Sequence, residues 1–110
     1  MISKKYKIEA KNIRQLIKPI GGCMASDKIT VFGEKINFMY RVDSDFDHDS
    51  GWRFMSGTED QNFADNADNW AIYDVNTIAN YDSAIIQYLD KPVGTELERV
   101  KGTERFRAAL

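Results

Sequence analysis

The spacing of apolar positions divides this 110-residue chain into stretches of different period. Ile13, Leu16 and Ile17 are spaced i, i+3, i+4 with basic residues between them, which predicts a short amphipathic helix over 10–18, ended by Pro19. Gly21-Gly22 then permits a sharp turn or a close backbone approach. Residues 23–32 and 35–42 read as strands joined by a Gly33-Glu34 turn. In the second strand Ile36, Phe38 and Tyr40 alternate with Asn37, Met39 and Arg41. Apolar side chains on both faces predict a central position in a sheet. A polar loop, 43–51, leads to a third strand, Trp52–Met55, and Tyr40 and Trp52 suit cross-strand packing in an antiparallel pair.

From Thr58 the period turns helical. Thr58 with Gln61 three residues later reads as a capping box, and Asp74 and Asp82 read as caps of two further short helices. Pro92 and Gly94 stop that region. Residues 96–100 and 105–109 read as two more strands around Lys101-Gly102-Thr103. The expectation is an α+β fold: a mostly antiparallel sheet, short helices from the 58–90 region and a short N-terminal helix, in a single domain spanning 1–110.

Composition sets bounds on this picture. Apolar residues are 43 % and charged residues 29 %, ordinary globular values that speak against a fully disordered chain. In the C-terminal half no uncharged run is longer than Ser83–Leu89, far short of the ~20 residues that cross a bilayer. The basic start, Met1–Lys7, is followed by no apolar h-region, so a cytoplasmic protein is expected. One cysteine excludes an internal disulfide, and one cysteine with one histidine leaves no Cys/His zinc set.

The net charge of −2 hides a strong asymmetry. Residues 1–42 are basic overall, whereas 43–82 hold ten acids against Arg53 alone. If those acids share a face, the stretch projects a strong negative potential. The N-terminal lysines lack the interleaved aromatics of a nucleic-acid patch.

Catalytic motifs are scarce. Asp43, Asp45, Asp47 and Asp49 alternate as calcium ligands do. An EF-hand loop begun at Asp45, however, places Ser50 where glycine is required and Ser56 where glutamate is required. The single histidine, His48, lies inside the acidic loop. No serine sits in G-x-S-x-G, and neither a Walker A nor a G-x-G-x-x-G motif occurs. Cys23, after Gly-Gly, reads as a buried strand thiol. Trp52 reads as core, and Trp70, in an Asp/Asn-rich context, as core or interface anchor.

Several stretches taken in order carry a family signal. They are Gly22-Cys23-Met24-Ala25-Ser26-Asp27-Lys28-Ile29, Phe38-Met39-Tyr40-Arg41, Asp49–Gly57 with its Gly51-Trp52-Arg53-Phe54 centre, and Ile72–Asp82. Asp90-Lys91-Pro92-Val93-Gly94 and Glu98-Arg99 close the set. Over about residues 21–99 the chain resembles bacterial immunity-protein family thirty-three of polymorphic toxin systems. The resemblance implies an α+β domain that neutralises a cognate toxin by binding it, without catalysis and without a cofactor. It carries over no site residues. Charge and aromatic character nominate Asp45, Asp47, Asp49, Glu59, Asp60, Asp65, Asp68 and Trp70 as a docking patch for a basic toxin such as a nuclease. The alternative is a stand-alone domain that binds a small ligand or another protein.

Overall fold

A computed structural model describes residues 4–109. Its centre is a six-stranded sheet. In chain order the strands are β1 (Gly22–Ser26), β2 (Phe38–Arg41), β3 (Asp49–Met55), β4 (Trp70–Asp74), β5 (Glu96–Arg99) and β6 (Phe106–Ala108). In space they lie β4-β1-β3-β2-β5-β6. All neighbours are antiparallel except β1 and β3. Three short helices, α1 (Asp27–Thr30), α2 (Gln61–Asp65) and α3 (Val75–Tyr81), and a 3-10 segment, Ser83–Tyr88, complete the α+β fold. Among the described residues, no helix is long and apolar enough to cross a membrane.

Strand alternation sorts the side chains into two faces. Cys23, Ala25, Met39, Trp52, Phe54, Leu97 and Phe106 point to one side. There, with Ile29, Ile36, Val75, Ile78, Ala79 and Ile85, they form the core. The Trp52 and Phe54 rings stack at 6.1 Å, and the indole N–H of Trp52 donates to the Leu89 carbonyl at 3.1 Å. This satisfies the one polar atom of the largest fully buried side chain. Gly22, Met24, Phe38, Tyr40, Arg53, Met55 and Ile72 share the other side, as the pairings Met24↔Ile72, Met24↔Arg53 and Tyr40↔Arg53 require.

A buried ion pair ties the far edge of the sheet to the helices. Arg99 on β5 donates to the Asp82 carboxylate, and both side chains are almost fully enclosed. The same carboxylate accepts the amides of Ile36 (3.0 Å) and Ala84 (3.3 Å), while Arg99 also donates to the carbonyls of Ile36 and Thr103, both at 2.9 Å. Asp82 therefore caps the 3-10 segment, as its place in the sequence predicts, and also fixes the entry to β2 and the β5–β6 turn.

The N-terminal segment differs from its expected form. Only Ala10–Asn12 is helical, as a single 3-10 turn, and the chain beyond runs without regular structure across α3. Asn76 and Asn80, one turn apart on α3, explain why. The Asn76 side chain accepts the amides of Leu16 and Ile17 and donates to the Arg14 carbonyl. Asn80 accepts the Arg14 amide at 3.0 Å and donates to the Arg14 carbonyl at 2.8 Å. These bonds take the backbone groups that a 10–18 helix would have used.

Other expectations are also corrected. The strand begun at Cys23 stops at Ser26, whose hydroxyl accepts the Lys28 amide and starts α1. Trp52 lies opposite Arg41 rather than Tyr40, with the Arg41 guanidinium 5.5 Å from its ring centroid. Ile36 precedes β2 and turns into the core, away from Phe38 and Tyr40. The capping-box helix starts at Gln61 and is capped by Asp60, because Thr58 donates to Glu34 and Glu59 binds the amides of Ser56 and Gly57. Trp70–Asp74, within the stretch read as helical, is strand β4.

Two outcomes follow. Asp82→Ala leaves Arg99 buried without its carboxylate and should cost about 3–5 kcal/mol in urea unfolding; a cost under about 1 kcal/mol would show that the pair is incidental. Asn76→Ala combined with Asn80→Ala should expose residues 10–18 to rapid amide exchange while the sheet stays protected; unchanged exchange over 10–18 would show that the asparagines do not hold the segment.

Candidate functional site

Helices α1 and α3 and the 3-10 segment pack on one side of the sheet, and the opposite side is open except at one end, where α2 borders it. Its middle is occupied by Arg53 on β3, flanked by Met24 on β1 and Tyr40 on β2. Arg53 makes a bidentate pair with Asp49, its two terminal nitrogens 3.0 and 2.8 Å from the two carboxylate oxygens. The Asp49 side chain is fully enclosed and that of Arg53 is 8 % exposed. Four residues apart on one strand, the two groups lie on the same face, which the period of two requires. The hydrogen bonds from Arg53 hold the Asp49 carboxyl down at about 2, and the carboxylate pushes the Arg53 guanidinium further up.

The same carboxylate shapes the acidic loop. Asp49 accepts the Asp45 amide and the Gly51 amide, each at 2.8 Å. Phe46 folds back over the sheet, its ring centroid 5.6 Å from the Arg53 guanidinium carbon. The loop crosses β1 so closely that the Gly22 amide donates to the His48 carbonyl at 2.7 Å. A Cβ at Gly21 would lie 2.2 Å from that carbonyl oxygen, and one at Gly51 would lie 2.0 Å from the Val42 oxygen. Both glycines also have positive φ, so close approach and backbone conformation alike demand glycine there.

At the other end of the open face, the segment containing α2 and the 3-10 turn Ala67–Asn69 precedes β4. It is folded by its own polar side chains. Asp60 accepts the Phe63 amide, Asn66 accepts the Asp68 amide, and Gln61 donates to Asp65. Trp70 is half-buried, and its indole N–H donates to the Ala64 carbonyl at 3.0 Å. Between this segment and the strands lies an open depression of about 600 Å³, lined by Met24, Tyr40, Ala64, Asp65, Trp70 and Ile72 among others.

The nominated residues thus fall into two groups. Asp45, Asp47 and Asp49 lie where β1 and β3 begin. Glu59, Asp60, Asp65, Asp68 and Trp70 lie where those strands end, a strand length away. Asp45, Asp47, Asp65 and Asp68 are exposed. Asp49, Glu59 and Asp60 are engaged in holding local structure. Burial works to raise the Glu59 carboxyl, but hydrogen bonds led by the Ser56 amide outweigh it and hold it low. Trp52 and Cys23 are fully buried, and burial pushes the Cys23 thiol up, away from reactivity.

Sequence reading missed the strand residues between the two groups. Met24, Tyr40 and Ile72 come from three strands, and only the pairing order places them side by side. Glu96 and Glu98 on β5 join the same face, opposite Tyr40 and Phe38. Their alternation with Leu97 was the available signal, but the face it belonged to depended on β5 pairing with β2.

The model of the Immunity protein Imm33 domain matches residues 23–109, well over half of the chain. The chain belongs to the Imm33 family. No curated protein and no solved structure matches it. The Imm33 match begins at Cys23 in β1 and takes in the rest of the sheet with all three helices, and it leaves the asparagine-held N-terminal segment outside.

The Asp49–Arg53 pair of this Imm33 protein has a pH signature. The folded carboxyl, at about 2, lies below its ordinary value of 3.8. Its stabilisation is therefore complete above the unfolded value and is lost as pH falls through the folded one. The stability gap between wild type and Asp49→Asn should narrow by about 2 kcal/mol between pH 5 and pH 2. Urea unfolding across that range measures it, and a gap that stays constant would show that the carboxylate is not held by Arg53.

Proposed function

We propose that this protein neutralises a cognate bacterial toxin by binding it directly, without catalysis. The observation that carries this reading is the Imm33 family match over residues 23–109. The chemistry of the chain supports it. The Cys23 thiol is buried and held neutral, and the most enclosed acid–base pairs, Asp49–Arg53 and Asp82–Arg99, are consumed in mutual hydrogen bonds. What the surface offers is exposed negative charge, suited to a basic partner such as a nuclease that binds phosphate.

In this reading Asp45, Asp47, Asp65 and Asp68 contribute charge, and Trp70 contributes anchoring area. Asp49, Glu59 and Asp60 hold the loops that present them. Charge complementarity of this kind raises the association rate more than the final affinity.

Rescue tests the reading. The product of the adjacent open reading frame is expressed in a tolerant host with and without this protein, and survivors are counted. Rescue by wild type is the expected result; a toxic neighbour that this protein neither binds nor relieves would sink it. Changing Asp45, Asp47, Asp65 and Asp68 to lysine should slow association about 10-fold or more at low salt and flatten its salt dependence. An unaltered rate would remove these four from the interface.

A further inference from the structure

We infer that the open face of the sheet is the docking surface, and that its depression beside Trp70 receives an apolar anchor side chain from a basic patch of the toxin. This rests on the immunity reading and adds where and how the partner is held.

The two sides of the sheet are covered unequally. Helices α1 and α3, the 3-10 segment and the N-terminal segment pack on the core side, with contacts through Tyr73, Tyr81, Asn76 and Asn80, and only α2 borders the other side, at the end beside Trp70. On the open side Ile72 is 57 % exposed in the middle of a strand, and Met24, Tyr40, Phe38 and Met55 are only partly covered. Large apolar side chains on strand interiors gathered on one face form a contiguous patch, unlike scattered surface residues. Six strands spaced by ~4.8 Å make the face about 24 Å across. With the loops at both ends, that is the scale of a standard interface of about 800 Å² per partner.

The charge on this face is also one-signed at its rim. The central cation, Arg53, is neutralised by Asp49, and Arg107 at the β6 edge is paired with Glu98 at 3.2 Å. Around them stand Asp45, Asp47, Asp65, Asp68 and Glu96, all exposed. An apolar centre with an acidic rim is the layout of an interface core and its polar border. Its sign selects lysine and arginine on the partner and repels the phosphates of a nucleic acid. The depression, lined by Met24, Tyr40, Trp70 and Ile72, has the flexible and aromatic walls that accept an aliphatic or aromatic anchor.

The test uses the full chain and the toxin from the adjacent reading frame. Ile72→Asp changes an exposed residue and should leave folding intact, yet weaken the complex by about 100-fold and abolish rescue. Leu16→Asp alters a similarly exposed apolar residue on the opposite side and should leave both unchanged. Hydroxyl-radical footprinting should show Met24, Tyr40, Met55 and Trp70 protected in the complex. Wild-type binding with full affinity for Ile72→Asp and no protection at those four would overturn the docking assignment while leaving the immunity reading standing. No wild-type complex would sink both. A dimer of the free protein that Ile72→Asp dissolves would assign the face to a second copy and overturn the proposal as well.

Discussion

The bidentate contact between Arg53 and Asp49 is the interaction on which the open face of the sheet depends. A guanidinium enclosed among Met24, Tyr40 and Phe46 would be costly to desolvate unpaired. Its carboxylate partner four residues back on the same strand removes that cost and leaves the centre of the face nearly neutral. Because Asp49 has two oxygens and uses both, it also binds the amides of Asp45 and Gly51 and so sets the course of the acidic loop. One residue thereby connects the electrostatics of the face to the shape of its rim.

The Asp82–Arg99 pair plays the equivalent part on the core side. There the problem is to join short elements that each bury little. The helices run four to seven residues, too short to be stable on intrinsic propensity. Side-chain caps from Ser26, Asp60, Asp74 and Asp82 satisfy their first amides, and the Asp82 pair couples the 3-10 segment to β5 and to the entry of β2. Helices α1 and α3 and the 3-10 segment cover one side of the six-stranded sheet, and α2 reaches only one end of the other. The open face is thus a consequence of how the chain spends its length: the residues from 58 to 69, which could have formed a second covering layer, instead make small polar turns at the end of the strands.

What could be read from the sequence follows the range of the interactions concerned. Asp74 and Asp82 announced themselves as caps because capping is local, reaching two or three residues. Strand β2 was legible from alternation, and β5, β6 and the Trp52–Met55 part of β3 were also read as strands, whereas the first residues of β3, Asp49–Gly51, were read as loop because they are small and polar. The N-terminal helix was misjudged because its competitor, the Asn76–Asn80 pair on α3, lies some 60 residues away in the chain. Strand β4 was hidden because Trp70–Asp74 sits between helical segments and has only five residues to display a period. The candidate site shows the same division. Its acids were visible as a run of charge, but the apolar centre they surround is assembled from β1, β2 and β4, and neighbours across strands are fixed by pairing order alone.

That division changes how the acidic run should be understood. As a linear feature it suggests a single negative patch. In the fold it is cut by β3, with Asp45 and Asp47 at one end of the strands and Asp65 and Asp68 at the other. Charges a strand length apart exceed the Debye length of ~8 Å at physiological ionic strength, so they do not act as one local cluster. They can still act together on an approaching partner broad enough to span the face, because each end then meets its own basic counterpart. Charge arranged this way orients a partner as well as attracting it. In the proposed complex, the tightness is then left to the apolar strip between the two ends, where burial excludes water.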